Sequence, residues 1–323
     1  MQSAQQRADG GGGRAATEVV TPRRLAAWTV LVTVLVGVAA AFGVFARGDG
    51  ASQVVTSVRG ETYEMATTGV YANNALALVA EGVGWDVFTL LVVVPALAVT
   101  AALVARGSFR GVLVAAGLFG YVTYLHLEYA VTWVFGPLFP LFAVTLGASL
   151  VGLVAAAILV ARFGIRERFD SRFPRRSWAA VSLGMSVLLV VLWSARIADA
   201  LTASVPTLHG ETTMTVQALD LGLVVPVAAM IAVAALRGHP AGLAAAAAFS
   251  VTFVTMCAAI ASMMVSSWIV TGVSALPPIM VFSLAALAGL WAAGRMYASA
   301  DSIARPEPVE GAAGLQPASP RAG

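Results

Sequence analysis

Residues 91–111 read LVVVPALAVTAALVARGSFRG, and residues 222–242 read GLVVPVAAMIAVAALRGHPAG. The two stretches align without a gap. Each carries a proline (Pro95, Pro226), an Arg-Gly pair starting eleven residues later (Arg106-Gly107, Arg237-Gly238) and another glycine four residues on (Gly111, Gly242). Between proline and arginine each is almost wholly apolar. A run of about 20 such residues is the length needed to cross the hydrocarbon core of a bilayer as a helix.

The same composition extends outward along the chain. Of 323 residues, 59% are hydrophobic and only 11% are charged, where a soluble domain carries about 25% charged. Apolar runs fall at about 25–46, 85–105, 111–131, 138–161, 177–198, 217–236, 243–265 and 277–298. They predict an all-α polytopic bundle of about eight spans, with the lipid bilayer as its main partner. Residues 1–24 and 299–323, rich in Gly, Ala, Pro and charge, read as disordered tails. A basic loop, 162–176, separates a first half (25–161) from a second (177–298).

Arginine placement sets the orientation. With the N-terminus inside, Arg7, Arg14, Arg23, Arg24, Arg106, Arg110, Arg162, Arg166, Arg168, Arg172, Arg175, Arg176, Arg237, Arg295, Arg305 and Arg321 all fall inside. Only Arg47, Arg59 and Arg196 fall outside. Cytoplasmic loops collect positive charge, so the expectation is a cell-membrane protein with both ends in the cytoplasm. This also explains a formal charge of +3 without nucleic acid as a partner.

The two aligned stretches imply a 4+4 internal duplication. Arg59-Gly60-Glu61-Thr62 is echoed by His209-Gly210-Glu211-Thr212, and each half has an acid ahead of its proline, Asp86 and Asp220. Four spans per half return the chain to the same side, so the repeats would be parallel.

Several chemistries are excluded. All 19 basic residues are arginine, so no lysine can form a Schiff base with retinal or pyridoxal phosphate. The single cysteine, Cys257, can form no internal disulfide. No phosphate loop, nucleophile elbow, zinc-protease or haem-attachment motif is present. No cofactor, metal or catalytic residue is assigned.

What remains is a set of polar residues near the outer ends of helices. The third run ends Tyr121-Val-Thr-Tyr124-Leu-His126-Leu-Glu128-Tyr129. Spacings of three and four place Tyr121, Tyr124 and Glu128 on one face, and His126 faces away from Glu128. Glu128 is either an interior carboxylate facing the bundle or a headgroup-zone residue among belt aromatics. The fifth run ends Trp193-Ser-Ala-Arg196-Ile-Ala-Asp199, where Arg196 can pair with Asp199, reach Glu128, or snorkel to phosphate. Asp86 and Asp220 read as N-terminal caps or as acids lining an outer vestibule. His209 and Glu211 are of metal-ligand type, at a spacing that is not diagnostic.

The stretch Asp220-Leu-Gly-Leu-Val-Val-Pro226, with the Arg-Gly that ends its helix, resembles a motif of prokaryotic multi-pass membrane proteins. The resemblance covers mainly the second, third and sixth helices and implies no activity.

Three functions fit. A transporter or channel for a small solute or cation predicts an outer cavity reaching Glu128. A membrane-embedded enzyme predicts that His126 and His209 converge. A scaffold or sensor predicts Glu128 and Arg196 paired and sealed from water. The oligomeric state is left open by the sequence.

Overall fold

The Arg-Gly pairs end helices in the same way twice. Gly107 (φ +73°) and Gly238 (φ +71°) adopt the left-handed conformation. Around them Gly107 N–H reaches Val104 O at 2.9 Å and Ser108 N–H reaches Leu103 O at 3.1 Å. The second half repeats this with Gly238 to Ala235 at 3.0 Å and His239 to Ala234 at 3.1 Å. These bonds satisfy the carbonyls left over at a helix end, and glycine takes positive φ without cost. The next helix then folds straight back. A Cβ on Gly111 would stand 2.8 Å from Leu103 Cβ, and one on Gly242 would stand 2.7 Å from Ala234 Cβ.

The computed structural model describes residues 20–165 and 168–300. Most of both expected tails, and Arg7, Arg14, Arg166, Arg305 and Arg321, lie outside the described residues. Eight helices are long and apolar enough to span a membrane. They are α1 Pro22–Phe45, α2 Leu76–Ala105, α3 Phe109–Thr132, α4 Phe139–Arg162, α5 Arg175–Thr202, α6 Thr215–Leu236, α7 Pro240–Thr271 and α8 Leu276–Ser299. Prolines in the first turns of α1, α4, α7 and α8 suit positions whose N–H has no helical partner. Thr21 and Ser108 cap α1 and α3 through their hydroxyls. Large apolar residues such as Leu91, Val99, Leu284 and Trp291 are exposed on the bundle surface, as a lipid-facing surface requires. The chain is a multi-pass membrane protein of the all-α class.

Two spans are not simple α-helices. Thr89–Val93 in α2 and Asp220–Val224 in α6 are π turns. Val94 N–H bonds to Thr89 O, and Val225 N–H bonds to Asp220 O, each five residues back. Proline lacks an N–H and crowds the preceding turn. Here Pro95 and Pro226 are accommodated by widening the helix, a device found often at functional sites.

The two halves pack alike. In the first, α1 lies on α2 and α4, α2 on α3, and α3 on α4; in the second, α5 lies on α6 and α8, α6 on α7, and α7 on α8. The centre is formed by α3 against α7. Gly117 and Gly120 admit α7 closely, and Thr252 Oγ1 donates to Gly117 O at 2.7 Å, the small-residue packing expected between spans. The α2–α7 seam is sealed the same way, with Ser262 Oγ donating to Gly84 O at 2.7 Å. Its counterpart, the α3–α6 seam, closes toward the hairpin end, through Thr215–Leu219 and Asp220.

Residues between α1 and α2 depart from expectation. Ser52–Thr56 (β1) and Thr62–Ala66 (β2) pair antiparallel, with Thr56 opposite Thr62. Gly60, at φ +87°, makes the turn. From Leu76 onward the segment is already α2, so the span begins well before the expected 85. The hairpin marks one end of the bundle. Arg47, Arg59 and Arg196 are at that end, and the other described arginines lie toward the opposite end.

Candidate functional site

Where α3 and α6 part, a cavity of about 1050 Å³ opens. It runs from Glu81 and Glu128 near the hairpin end to Leu113, Val160 and Ile165 near the other. Glu128 and Leu113 lie on one helix, so the cavity extends along α3 by about 22 Å at 1.5 Å per residue. Leu150 of α4, Leu192 of α5 and Leu223 of α6 line it and are exposed. The cavity is therefore open sideways between α4 and the α5–α6 pair.

Its charged lining residues all sit toward the hairpin end: Glu81, Glu128, Arg196, Glu211 and Asp220. Asp220 opens the π turn of α6 and is clasped from both sides. Tyr124 OH donates to its Oδ1 at 2.6 Å, and Trp193 Nε1 donates to its Oδ2 at 2.8 Å. One carboxylate thus ties α3, α5 and α6 together. Glu128, one turn along α3 from Tyr124, is 4% exposed. Among the described residues its carboxyl group has no hydrogen-bond or ion-pair partner. Its electrostatic neighbours are Asp220, Glu81 and Glu211.

The wall at the hairpin end is held by Glu61 of the β-turn. Its carboxylate accepts backbone N–H bonds from Leu208 (3.0 Å), His209 (2.9 Å) and Gly210 (3.2 Å). Burial alone would raise this carboxyl's pKa, but the three donors outweigh it and hold the group below the usual range. Arg59 Nη2 adds a bond to Thr212 O at 2.8 Å. The Arg-Gly-Glu-Thr and His-Gly-Glu-Thr segments, alike in sequence, are thus contact partners. Glu211 beside them projects into the cavity. Burial pushes its carboxyl up to about 7, against the pull of Arg196 and with a push from Glu61.

Of the residues expected at a vestibule, Glu128, Tyr124, Asp220, Arg196, His209 and Glu211 line this cavity. Three do not. His126 is buried on the other side of α3, against Phe142 and Tyr129, with Nδ1 2.9 Å from Val122 O. Asp199 is exposed on α5 outside the cavity. Asp86 is 2% exposed in a separate cluster between α1, α2 and α3. Tyr71 OH donates to its Oδ2 at 2.6 Å, and Tyr129 OH lies 3.2 Å from its Oδ1.

Other expectations are corrected with these. Asp86 is well inside α2 and Asp220 is at a π turn, so neither caps a helix N-terminus. The residue matching Asp220 in the first half is Thr89, not Asp86. Tyr121 turns away from Tyr124 and Glu128 to meet Thr89 Oγ1 at 2.7 Å. Arg196 bonds Thr207 O at 3.0 Å rather than Glu128 or Asp199.

Sequence reading missed Glu81, Trp85, Trp193 and Gln217 as cavity residues. A helix start at 85 left Glu81 in a loop. Extending the apolar periodicity back to Leu76 would have placed it on a helix face.

Among the described residues no three of His, Cys, Asp and Glu come close enough to hold a metal ion. The acids are spaced around a volume sized for an organic molecule. Fold and cavity together define a multi-pass integral membrane protein with an intramembrane cavity, acidic at one end. Comparison with protein-family models, curated proteins and solved structures finds no match.

Proposed function

We propose that this chain is a transporter for a small solute or cation, with an acidic outward-facing vestibule. The observation that carries the reading is the cavity that reaches the unpartnered carboxyl of Glu128. Such groups are costly in a membrane and commonly mark a substrate path. Glu128, Asp220, Glu211 and Glu81 attract the solute; Tyr124, Arg196 and His209 shape the site.

The arginine bias supports placing the hairpin end outside and both chain ends in the cytoplasm of a cell-membrane protein. The matching helix pairings, π turns and Arg-Gly turns support descent from a duplicated four-helix unit. On this reading 25–161 and 177–298 are its two copies, joined by the cytoplasmic loop 162–176 and flanked by cytoplasmic tails, 1–24 and 299–323.

Two observations weigh against the other readings. His126 and His209 do not converge, as an enzyme built on them would need. Glu128 and Arg196 are not paired, as a sealed scaffold would need.

The test uses a Cys257→Ala background carrying Glu128→Cys, labelled in intact cells with a membrane-impermeant thiosulfonate. Labelling from outside supports the vestibule. In parallel, proteoliposomes of the native chain are challenged with organic cations, and charge movement is recorded on a solid-supported membrane. No labelling at 128 and no current with any cation would end this proposal.

A further inference from the structure

The cavity has two chemically different parts. Toward the hairpin end stand four carboxylates (Glu81, Glu128, Glu211, Asp220) and one guanidinium, Arg196. The remaining length carries no charge. It is lined by aliphatic side chains and alanines such as Leu113, Leu153, Ala157 and Ile231, and it is open sideways to the position of the lipid.

A small hydrophilic cation would use the first part and leave the second empty. A neutral hydrocarbon would use the second and leave Glu128 buried without a partner. A phosphorylated lipid would set its anion against four acids, which is repulsive. One ligand type satisfies both parts: a positively charged nitrogen at the hairpin end, where it neutralises Glu128, and a hydrocarbon tail along the apolar length. Trp85 and Trp193 line the same end, and aromatic side chains suit an ammonium head.

Resting on the transporter reading above, we propose that the substrate is a single-tailed cationic amphiphile, entering from the membrane between α4 and the α5–α6 pair. Its head binds at Glu128 and its tail lies along α3 and α4. The empty space at the α3–α6 seam, whose counterpart at α2–α7 is sealed, is the place for that tail.

The protein in lipid nanodiscs is titrated with dodecyltrimethylammonium, hexyltrimethylammonium, tetramethylammonium, dodecyl sulfate and dodecanol, with empty nanodiscs subtracted. The expected result is at least tenfold tighter binding of dodecyltrimethylammonium than of any other. Glu128→Gln, which keeps the shape, should remove at least tenfold of that affinity and leave dodecanol unchanged. Ala157→Phe, which fills the apolar length from an exposed position on α4, should weaken dodecyltrimethylammonium about tenfold and spare hexyltrimethylammonium.

Equal binding of dodecyl sulfate, or an unchanged affinity in Glu128→Gln, would overturn the assignment. Charge movement with tetramethylammonium and no gain from a tail would overturn it too, while leaving the transporter reading intact. Tail-dependent binding with no charge movement would overturn transport and leave the ligand class standing.

Discussion

Thr89 and Asp220 hold the same place in the two halves. Each opens a π turn six residues ahead of a proline, and each is bonded to a tyrosine of α3: Thr89 to Tyr121 at 2.7 Å, Asp220 to Tyr124 at 2.6 Å. The same backbone device therefore presents a neutral hydroxyl at one seam and a carboxylate at the other. The carboxylate is the one that borders the cavity.

The Tyr124–Asp220 bond should matter to stability as well as to the site. Tyr124→Phe leaves a buried carboxylate oxygen without its donor, which costs about 1–3 kcal/mol. Thermal unfolding of the purified protein should show this loss. Trp193→Phe, which removes the other donor, should cost a similar amount. A double variant no worse than either single one would mean that Asp220 is not clasped from both sides.

Glu61 should couple the β-hairpin to the 203–214 segment in a pH-dependent way. Its folded-state pKa is depressed below the ordinary glutamate value of 4.5. The stabilisation is therefore fully present above that value and is lost as pH falls through the lower folded value. Amide hydrogen exchange at 208–210 should accelerate in that acidic window. Glu61→Ala should show fast exchange there at all pH values, with a stability loss of about 1.5–3 kcal/mol.

Glu211 should behave in the opposite sense. Its carboxyl is raised from 4.5 to about 7. The folded state then holds a proton that the unfolded state releases, so stability falls as pH rises from 4.5 to 7. Glu211→Gln should flatten the dependence of the melting temperature on pH across that window. An identical slope in the variant would show that Glu211 does not titrate there.

The sealed α2–α7 seam should not tolerate a methyl group. A Cβ on Gly84 would stand 2.6 Å from the Ser262 carbonyl oxygen and 2.9 Å from Met263 Cα. Gly84→Ala should cost about 1–3 kcal/mol from overpacking. Gly222 has nothing within 4 Å of the same added atom. Gly222→Ala should therefore be neutral, or stabilising by up to about 1 kcal/mol. Melting curves of the two variants, side by side, test the difference.

The spans were legible because a bilayer demands long apolar runs, and no tertiary contact is needed to recognise one. The Pro, Arg-Gly and Gly landmarks were legible for a related reason: each acts on its own backbone within a few residues. What escaped depends on contacts distant in sequence. Nothing near Asp86 announces that Tyr71, from a loop, donates to it. The glycines and the acid at 82–86 disguised an α2 that starts at Leu76. His126 looked like a site residue from its neighbours, yet its side of α3 meets α4. The cavity itself is a missing contact between α3 and α6, and no local pattern records an absence.

By sequence α7 is part of the second half, yet two of its polar bonds tie it to the first. Ser262 fastens it to α2, Thr252 fastens it to α3, and Tyr297 of α8 donates to its Ala247 carbonyl oxygen at 3.1 Å. The α5–α6 pair is joined to α3 through Asp220 and to the hairpin through the Glu61 grip. Each half of the chain therefore clamps the other: neither four-helix unit can be lifted away without breaking the Ser262, Thr252, Asp220 and Glu61 bonds.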